Sequence, residues 1–172
     1  MRVADYIAKT LERKGVTHAF GVIGAGNVAL FDAITRHAKT QIVCCHHEQA
    51  AVMAAGFWAR ARPGTGCAIV TTGAGSANAV TGALSALMDS CPVVILSGNE
   101  PSQYLLGDTR VIGVQGFHTE RVAVPVSKAG YVMHHGTGQA ALIDHCFTEA
   151  TTPRFGPVWL DIPRDLFLTG VR

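Results

Sequence analysis

Six short apolar runs, at 18–22, 41–45, 67–71, 92–96, 126–132 and 157–162, alternate for most of the chain with longer stretches of helical periodicity. Those stretches fall at about 27–38, 48–62, 76–89 and 137–150. An amphipathic helix precedes the first run: Val3, Ile7 and Leu11 recur at helical spacing, and Gly15 stands where a helix C-terminal glycine belongs. Apolar strands separated by helices need cover on both faces, which points to one architecture. The expected fold class is α/β, a three-layer doubly wound, mainly parallel six-stranded sheet with helices on both faces. The stretch 98–125 breaks the alternation, with Gly, Pro, Asp and Gln scattered through it and a short helix expected near 115–122. A connection that long in a compact domain usually has a function or covers something.

The chain has 172 residues, 48% hydrophobic and 15% charged, so it can bury a core of its own, and one domain over 1–172 is expected. A formal net charge of +2, with no Lys/Arg run longer than two, offers no footprint for nucleic acid or for an anionic membrane. Charges fall in the first six residues where a signal peptide needs an apolar block, and no segment reaches the roughly 18 apolar residues of a membrane span. A cytoplasmic location is expected by elimination. The five cysteines are odd in number, lack C-x-x-C spacing and fall mostly in or beside apolar runs, which favours buried free thiols over metal ligation.

Glu48 is the one acid in 44–51, where an apolar strand pattern gives way to a small-residue helix. That is the crevice at a strand's carboxyl end, where open α/β sheets bind ligands. Two glycine-rich turns follow strands. The first contains Gly24-Ala25-Gly26-Asn27-Val28-Ala29, a G-x-G-x-x-A pattern with Glu48 at the distance of a ribose-binding acid, so a dinucleotide site is one reading. The second, Thr71-Thr72-Gly73-Ala74-Gly75-Ser76-Ala77-Asn78, repeats the geometry, with Ser76 expected to cap the next helix. Taken singly, either turn more often serves to reverse the chain tightly and pack the elements closely than to bind a ligand.

Together these motifs are more specific. The ordered set Gly15-Val16-Thr17-His18-Ala19-Phe20-Gly21-Val22, Gly24-Ala25-Gly26-Asn27, His47-Glu48-Gln49-Ala50-Ala51, Thr71 to Asn78, Val114-Gln115-Gly116-Phe117, Pro125-Val126-Ser127-Lys128 and Gly156 to Pro163 covers nearly the whole chain. It resembles the N-terminal, pyrimidine-binding domain of thiamine diphosphate-dependent enzymes, in the branch of the acetolactate synthase large subunit and related 2-oxo acid decarboxylases. The resemblance implies that Glu48 hydrogen-bonds N1' of the cofactor's aminopyrimidine, so that the 4'-imino group can accept the C2 proton. A carboxyl group in an apolar pocket is suited to share a proton with a weakly basic ring nitrogen. The resemblance also sets Ile23, Gly24 and Ala25 against the pyrimidine, and Thr71, Thr72 and Asn78 near the cofactor or the glutamate. Gln115 matches a glutamine that reaches toward substrate, while Gly116 stands where a glutamate usually follows; Ile23 and Ala74 stand where prolines are common. His118 is a candidate proton shuttle, since an imidazole titrates near neutral pH, and His47 is expected to shape the pocket. His46 and His47 lack further ligands at metal-binding spacing.

Members of this family hold the cofactor's diphosphate through Mg²⁺ on a later domain with a Gly-Asp-Gly signature and a downstream asparagine. This chain has no Gly-Asp-Gly and no asparagine after Asn99. The expectation is a split enzyme in which a second polypeptide carries the diphosphate and Mg²⁺ site, in an α2β2 assembly like two-subunit sulfopyruvate and phosphonopyruvate decarboxylases, acting on a small 2-oxo acid. A non-catalytic module of the same fold and a dinucleotide-binding domain are the alternatives.

Overall fold

A computed structural model describes residues 1–107, 109–136 and 138–172. Six strands, β1 (His18–Gly21), β2 (Gln41–Cys44), β3 (Gly66–Val70), β4 (Val93–Asn99), β5 (Ala129–Val132) and β6 (Val158–Pro163), form one sheet in the order β2-β1-β3-β4-β6-β5. Every pairing is parallel. Residues of β3 and β4 are buried throughout, as continuous apolar runs covered on both faces must be.

Among the described residues, seven α-helices complete the layers: α1 (Val3–Arg13), α2 (Val28–His37), α3 (Glu48–Ala61), α4 (Ala74–Asn78), α5 (Val80–Met88), α6 (Glu120–Ala123) and α7 (Gln139–Ala150). Right-handed crossovers decide which face each takes. From β1 the chain steps outward to β2, then back across β1 to β3, so α2 and α3 lie on opposite faces. The same rule sends α5 and α6 to the face of α3, and α7 to that of α2. Two buried clusters result. One joins α1, α2 and α7 to the sheet through Leu11, Leu30, Ile34, Ile143 and Phe147; the other packs Val52, Ala55, Ala83 and Trp159 under α3 and α5.

Local chemistry sets the limits of α1. The Arg2 N–H donates to Asp5 Oδ2 at 3.3 Å, and the Arg2 guanidinium, 2.8 Å from the same carboxylate, holds its pKa below the ordinary value. At the other end Gly15 adopts φ +71°, its N–H donates to the Glu12 carbonyl at 3.0 Å, and the Val16 N–H reaches the Leu11 carbonyl at 2.9 Å. This is the Schellman arrangement expected of Gly15. Nothing lies within 4 Å of a Cβ built there, so Gly15→Ala meets no clash and suffers only the left-handed backbone penalty. Chemical denaturation should show a loss of about 1 kcal/mol; an unchanged midpoint would contradict this account of the helix end.

Several elements depart from their expected limits. The helix expected over 76–89 begins at Ala74 and is divided at Ala79, whose N–H turns to the Ser76 carbonyl at 3.0 Å. Ser76 does not cap it: Gly73 occupies the N-cap, and the Ser76 hydroxyl donates to the Thr71 carbonyl at 2.7 Å, tying the turn to the end of β3. β5 starts at Ala129, because Pro125 sits in a 3-10 turn over Val124–Val126 and cannot donate to a ladder. The short helix expected near 115–122 is α6, a few residues later. Residue 137, the first of the expected 137–150 helix, lies outside the described residues, and α7 runs from Gln139. Cys67, Cys91 and Cys146 are buried, and burial pushes Cys67 and Cys146 up to about 12. Cys44 and Cys45 correct the expectation, being exposed and partly exposed because β2 is an edge strand. Among the described residues no helix is long and apolar enough to cross a membrane.

Candidate functional site

A parallel sheet delivers the carboxyl ends of all its strands to one edge. Because β1 and β3 are neighbours there, the two glycine turns meet, β2 brings Glu48 to one side, and β4 brings its own following loop to the other. The chain leaves β1 for one face and β3 for the other, which makes this the topological switch point.

The turns interlock through contacts that exclude side chains. A Cβ on Gly24 would overlap the Thr71 side chain, and one on Gly26 would overlap Thr72 Oγ1. Asn27 is fully buried and holds the first turn from within: its Oδ1 accepts the Gly24 N–H at 2.8 Å and its Nδ2 donates to the Val22 carbonyl at 3.0 Å. The Gly26 N–H donates to Thr71 Oγ1 at 3.2 Å. The backbone donors that a dinucleotide pyrophosphate would need are therefore taken by Asn27 and Thr71, which removes the physical basis of the dinucleotide reading. Ile23 is 55% exposed beside them and Ala25 is exposed as well.

Glu48 opens α3, with His47 as N-cap: His47 Nδ1 accepts the Gln49 N–H at 3.2 Å. The acid is well placed for the helix dipole, yet its side chain turns toward the second turn and is only 7% exposed. Asn78 Nδ2, at the end of α4, donates to Glu48 Oε2 at 3.0 Å. A Cβ on Gly75 would come within 3.0 Å of Glu48 Oε1, so glycine there keeps that oxygen accessible. Among the described residues no donor is recorded for Oε1. A buried carboxyl with one oxygen anchored and one free is a donor set that fits a weakly basic ring nitrogen, the group the aminopyrimidine presents.

Of the residues singled out from the sequence, Gly24, Thr71, Thr72, Asn78 and Glu48 are brought into this one constellation. Gln115 joins it from the long β4–β5 connection, its Nε2 donating to the Thr72 carbonyl at 3.4 Å. His47 and His46 are exposed at its margin. His118 lies elsewhere, with Nδ1 3.4 Å from Glu120 Oε1, on the wall of a cavity of about 670 Å³ shared with Asn99, His134, His135 and Asp161. A cavity of about 670 Å³ thus lies at the β4–β6 end of the same edge, and Glu48 is not among the residues that line it.

Asp161, on β6, was not foreseen. It is 1% exposed, its oxygens accept from the Ser97 hydroxyl and from Asn99 Nδ2, the latter at 2.6 Å, and Asn99 Nδ2 also reaches the Phe117 carbonyl at 3.1 Å. Burial pushes Asp161 up to about 6, against the pull of Ser97 and Asn99. With the folded pKa above its ordinary 3.8, the folded state binds the extra proton, so this carboxyl's contribution to stability is lost as pH rises from about 4 to about 6. Urea titrations should show wild type losing up to roughly 1 kcal/mol per pH unit across that window relative to Asp161→Asn. Parallel pH profiles for the two proteins would contradict it.

Comparison with known proteins identifies the family. The family described as thiamine pyrophosphate enzyme, N-terminal TPP binding domain, matches residues 1–126, which include both turns, Glu48 and Gln115. The acetolactate synthase large subunit of Haemophilus influenzae is 34% identical over 162 residues, covering 94% of this chain and 28% of that protein. The chloroplastic acetolactate synthase of Arabidopsis thaliana is 33% identical over 166 residues, covering 95% and 24%, and the isozyme 1 large subunit of Escherichia coli is 28% identical over 163 residues, covering 95% and 28%. The chain spans about a quarter of the length of these relatives. With interlocked glycine turns framing an accessible glutamate at the switch point, and a family match over most of its length, the chain belongs to the thiamine pyrophosphate enzymes as an N-terminal TPP binding domain.

Proposed function

We propose that this chain is the pyrimidine-binding subunit of a cytoplasmic, two-polypeptide enzyme that decarboxylates a 2-oxo acid and then protonates the acyl group or joins it to an acceptor. The observation that carries the reading is the Glu48 carboxyl: nearly buried, anchored by Asn78 at Oε2, and open at Oε1 beside Gly75. Thiamine diphosphate, when bound, supplies the electron sink for decarboxylation. Glu48 Oε1 holds or releases a proton toward the ring nitrogen, Asn78 keeps the carboxyl aimed, and the exposed Ile23 with Gly24 and Ala25 offers an apolar seat for the ring. Thr71 and Thr72 form the floor, and Gln115 faces the substrate side.

The sequence contains no Gly-Asp-Gly, so in this reading the diphosphate and its Mg²⁺ are bound by a second polypeptide, in an α2β2 assembly. Glu48 does not line the cavity at the β4–β6 end, and enclosure of the reacting groups by a second surface fits that arrangement. The five free cysteines suit a reducing compartment.

Co-expression with a polypeptide bearing Gly-Asp-Gly, followed by CO2 measurement over a panel of 2-oxo acids, tests the proposal. Turnover that needs both chains, thiamine diphosphate and Mg²⁺ is expected. No cofactor binding by the chain or by the complex would return the protein to a non-catalytic module.

A further inference from the structure

A third buried carboxylate lies at the same edge, after Glu48 and Asp161, and none of the roles above uses it. Glu100 directly follows β4 and is 5% exposed. Its Oε1 accepts the N–H groups of Val114 and Gln115, each at 3.3 Å, and its Oε2 is 3.8 Å from the Arg164 guanidinium. The long connection closes around it: the Gly116 N–H donates to the Ile112 carbonyl at 2.8 Å, and Gly113 takes φ +58°. A Cβ on Gly113 would stand 2.7 Å from Glu100 Cδ, and one on Gly116 2.7 Å from Glu100 Cγ. Residues 112–116 are therefore a collar that fits one carboxylate and admits no side chain at either glycine. An ionised group buried this far is stable only when paired, and bonds from N–H donors to a charged acceptor are about twice as strong as neutral ones.

The collar leads to the site. The Gln115 carbonyl lies where a Cβ on Gly73 would be, and the Gln115 amide reaches the Thr72 carbonyl. Two residues beyond Gly73, Gly75 borders Glu48 Oε1. Contacts thus run from Arg164 through Glu100 to Gln115, then to the second glycine turn and the wall beside Glu48.

We infer that Glu100 is a positioning residue: its carboxylate, with Arg164 as counter-charge, fixes Gln115 and the collar against the second glycine turn. The collar itself is independent of the proposed reaction; the effect on substrate rests on that reading. Losing an acceptor shared by two amides frees both.

Amide exchange on the full chain, followed by mass spectrometry or NMR, tests the collar without any cofactor. Glu100→Ala should speed exchange at 113–116 about 10- to 100-fold and leave α1 and α2 unchanged, while Glu100→Gln, which keeps one acceptor oxygen, should restore much of the protection. In the two-chain enzyme, Glu100→Ala should raise KM for the 2-oxo acid about 10-fold with a smaller change in kcat, and Gln115→Ala should add little to it. Unchanged exchange at Val114 and Gln115 would overturn the inference, as would KM effects of Glu100→Ala and Gln115→Ala that multiply in full. Lost protection in Glu100→Ala together with an inactive wild-type complex would uphold the collar and sink the functional reading instead.

Discussion

Glu48→Gln, in the proposed two-chain assembly, is expected to lower turnover by roughly 10²–10⁴-fold while the chain stays folded. The substitution keeps the length and shape of the side chain and an oxygen that can accept from Asn78 Nδ2, the 3.0 Å contact that anchors the carboxyl. What it removes is the exchangeable proton at the oxygen beside Gly75. Circular dichroism and the thermal midpoint should therefore match wild type, because the change deletes a chemical step and no packing. Asn78→Ala should cost less, about 10-fold, since it frees the carboxyl to reorient without removing it. Normal turnover in Glu48→Gln would favour a non-catalytic module.

Gly98→Ala is expected to be the most damaging single-methyl change in the domain. Gly98 lies within β4, and a Cβ there would overlap the carbonyl of Gly26 and stand 3.0 Å from the Asn27 nitrogen. Backbone, unlike a flexible side-chain tip, has no rotamer to retreat into. Either β4 shifts within a sheet buried on both faces, or the first glycine turn lifts away from Thr71 and Thr72. Overpacking of this kind costs about 3 kcal/mol, a fall of roughly 6–12 °C in the midpoint for a chain of this size. Any folded fraction should also bind cofactor more weakly, because the proposed seat of Ile23, Gly24 and Ala25 would be displaced. Gly15→Ala makes the control: it adds the same methyl group at a glycine with open space around it, so a comparable loss at both sites would mean that close packing is not what distinguishes Gly98.

Much of this organisation was legible in the residues. The apolar runs announced six strands, since burial on both faces demands continuous hydrophobicity, and Gly15 announced the end of α1, since an αL position after a helix favours glycine. Glu48 stood out because an acid beginning a small-residue helix has few structural reasons to be there. Other features depend on which elements become neighbours, and no local pattern encodes that. Ser76 resembled an N-cap until the adjacent end of β3 offered its hydroxyl a carbonyl. Cys44 and Cys45 looked buried until the strand order left β2 at the edge. His118 was grouped with Gln115 by proximity in sequence, yet just before α6 it lines a separate cavity beside Asp161. Glu100 left a faint signal, the glycines at 113 and 116 flanking Gln115, whose meaning depends on a carboxylate more than ten residues earlier.

The most direct measurement is the rate at which thiamine diphosphate, in the proposed two-chain complex, exchanges its C2 proton for deuterium, compared between wild type and Glu48→Gln. Rapid exchange in wild type that falls by at least about 100-fold in the variant, at equal cofactor occupancy, is what a Glu48 acting on the pyrimidine ring predicts. Equal exchange rates at equal occupancy would contradict it, and leave Glu48 as a residue that only starts a helix.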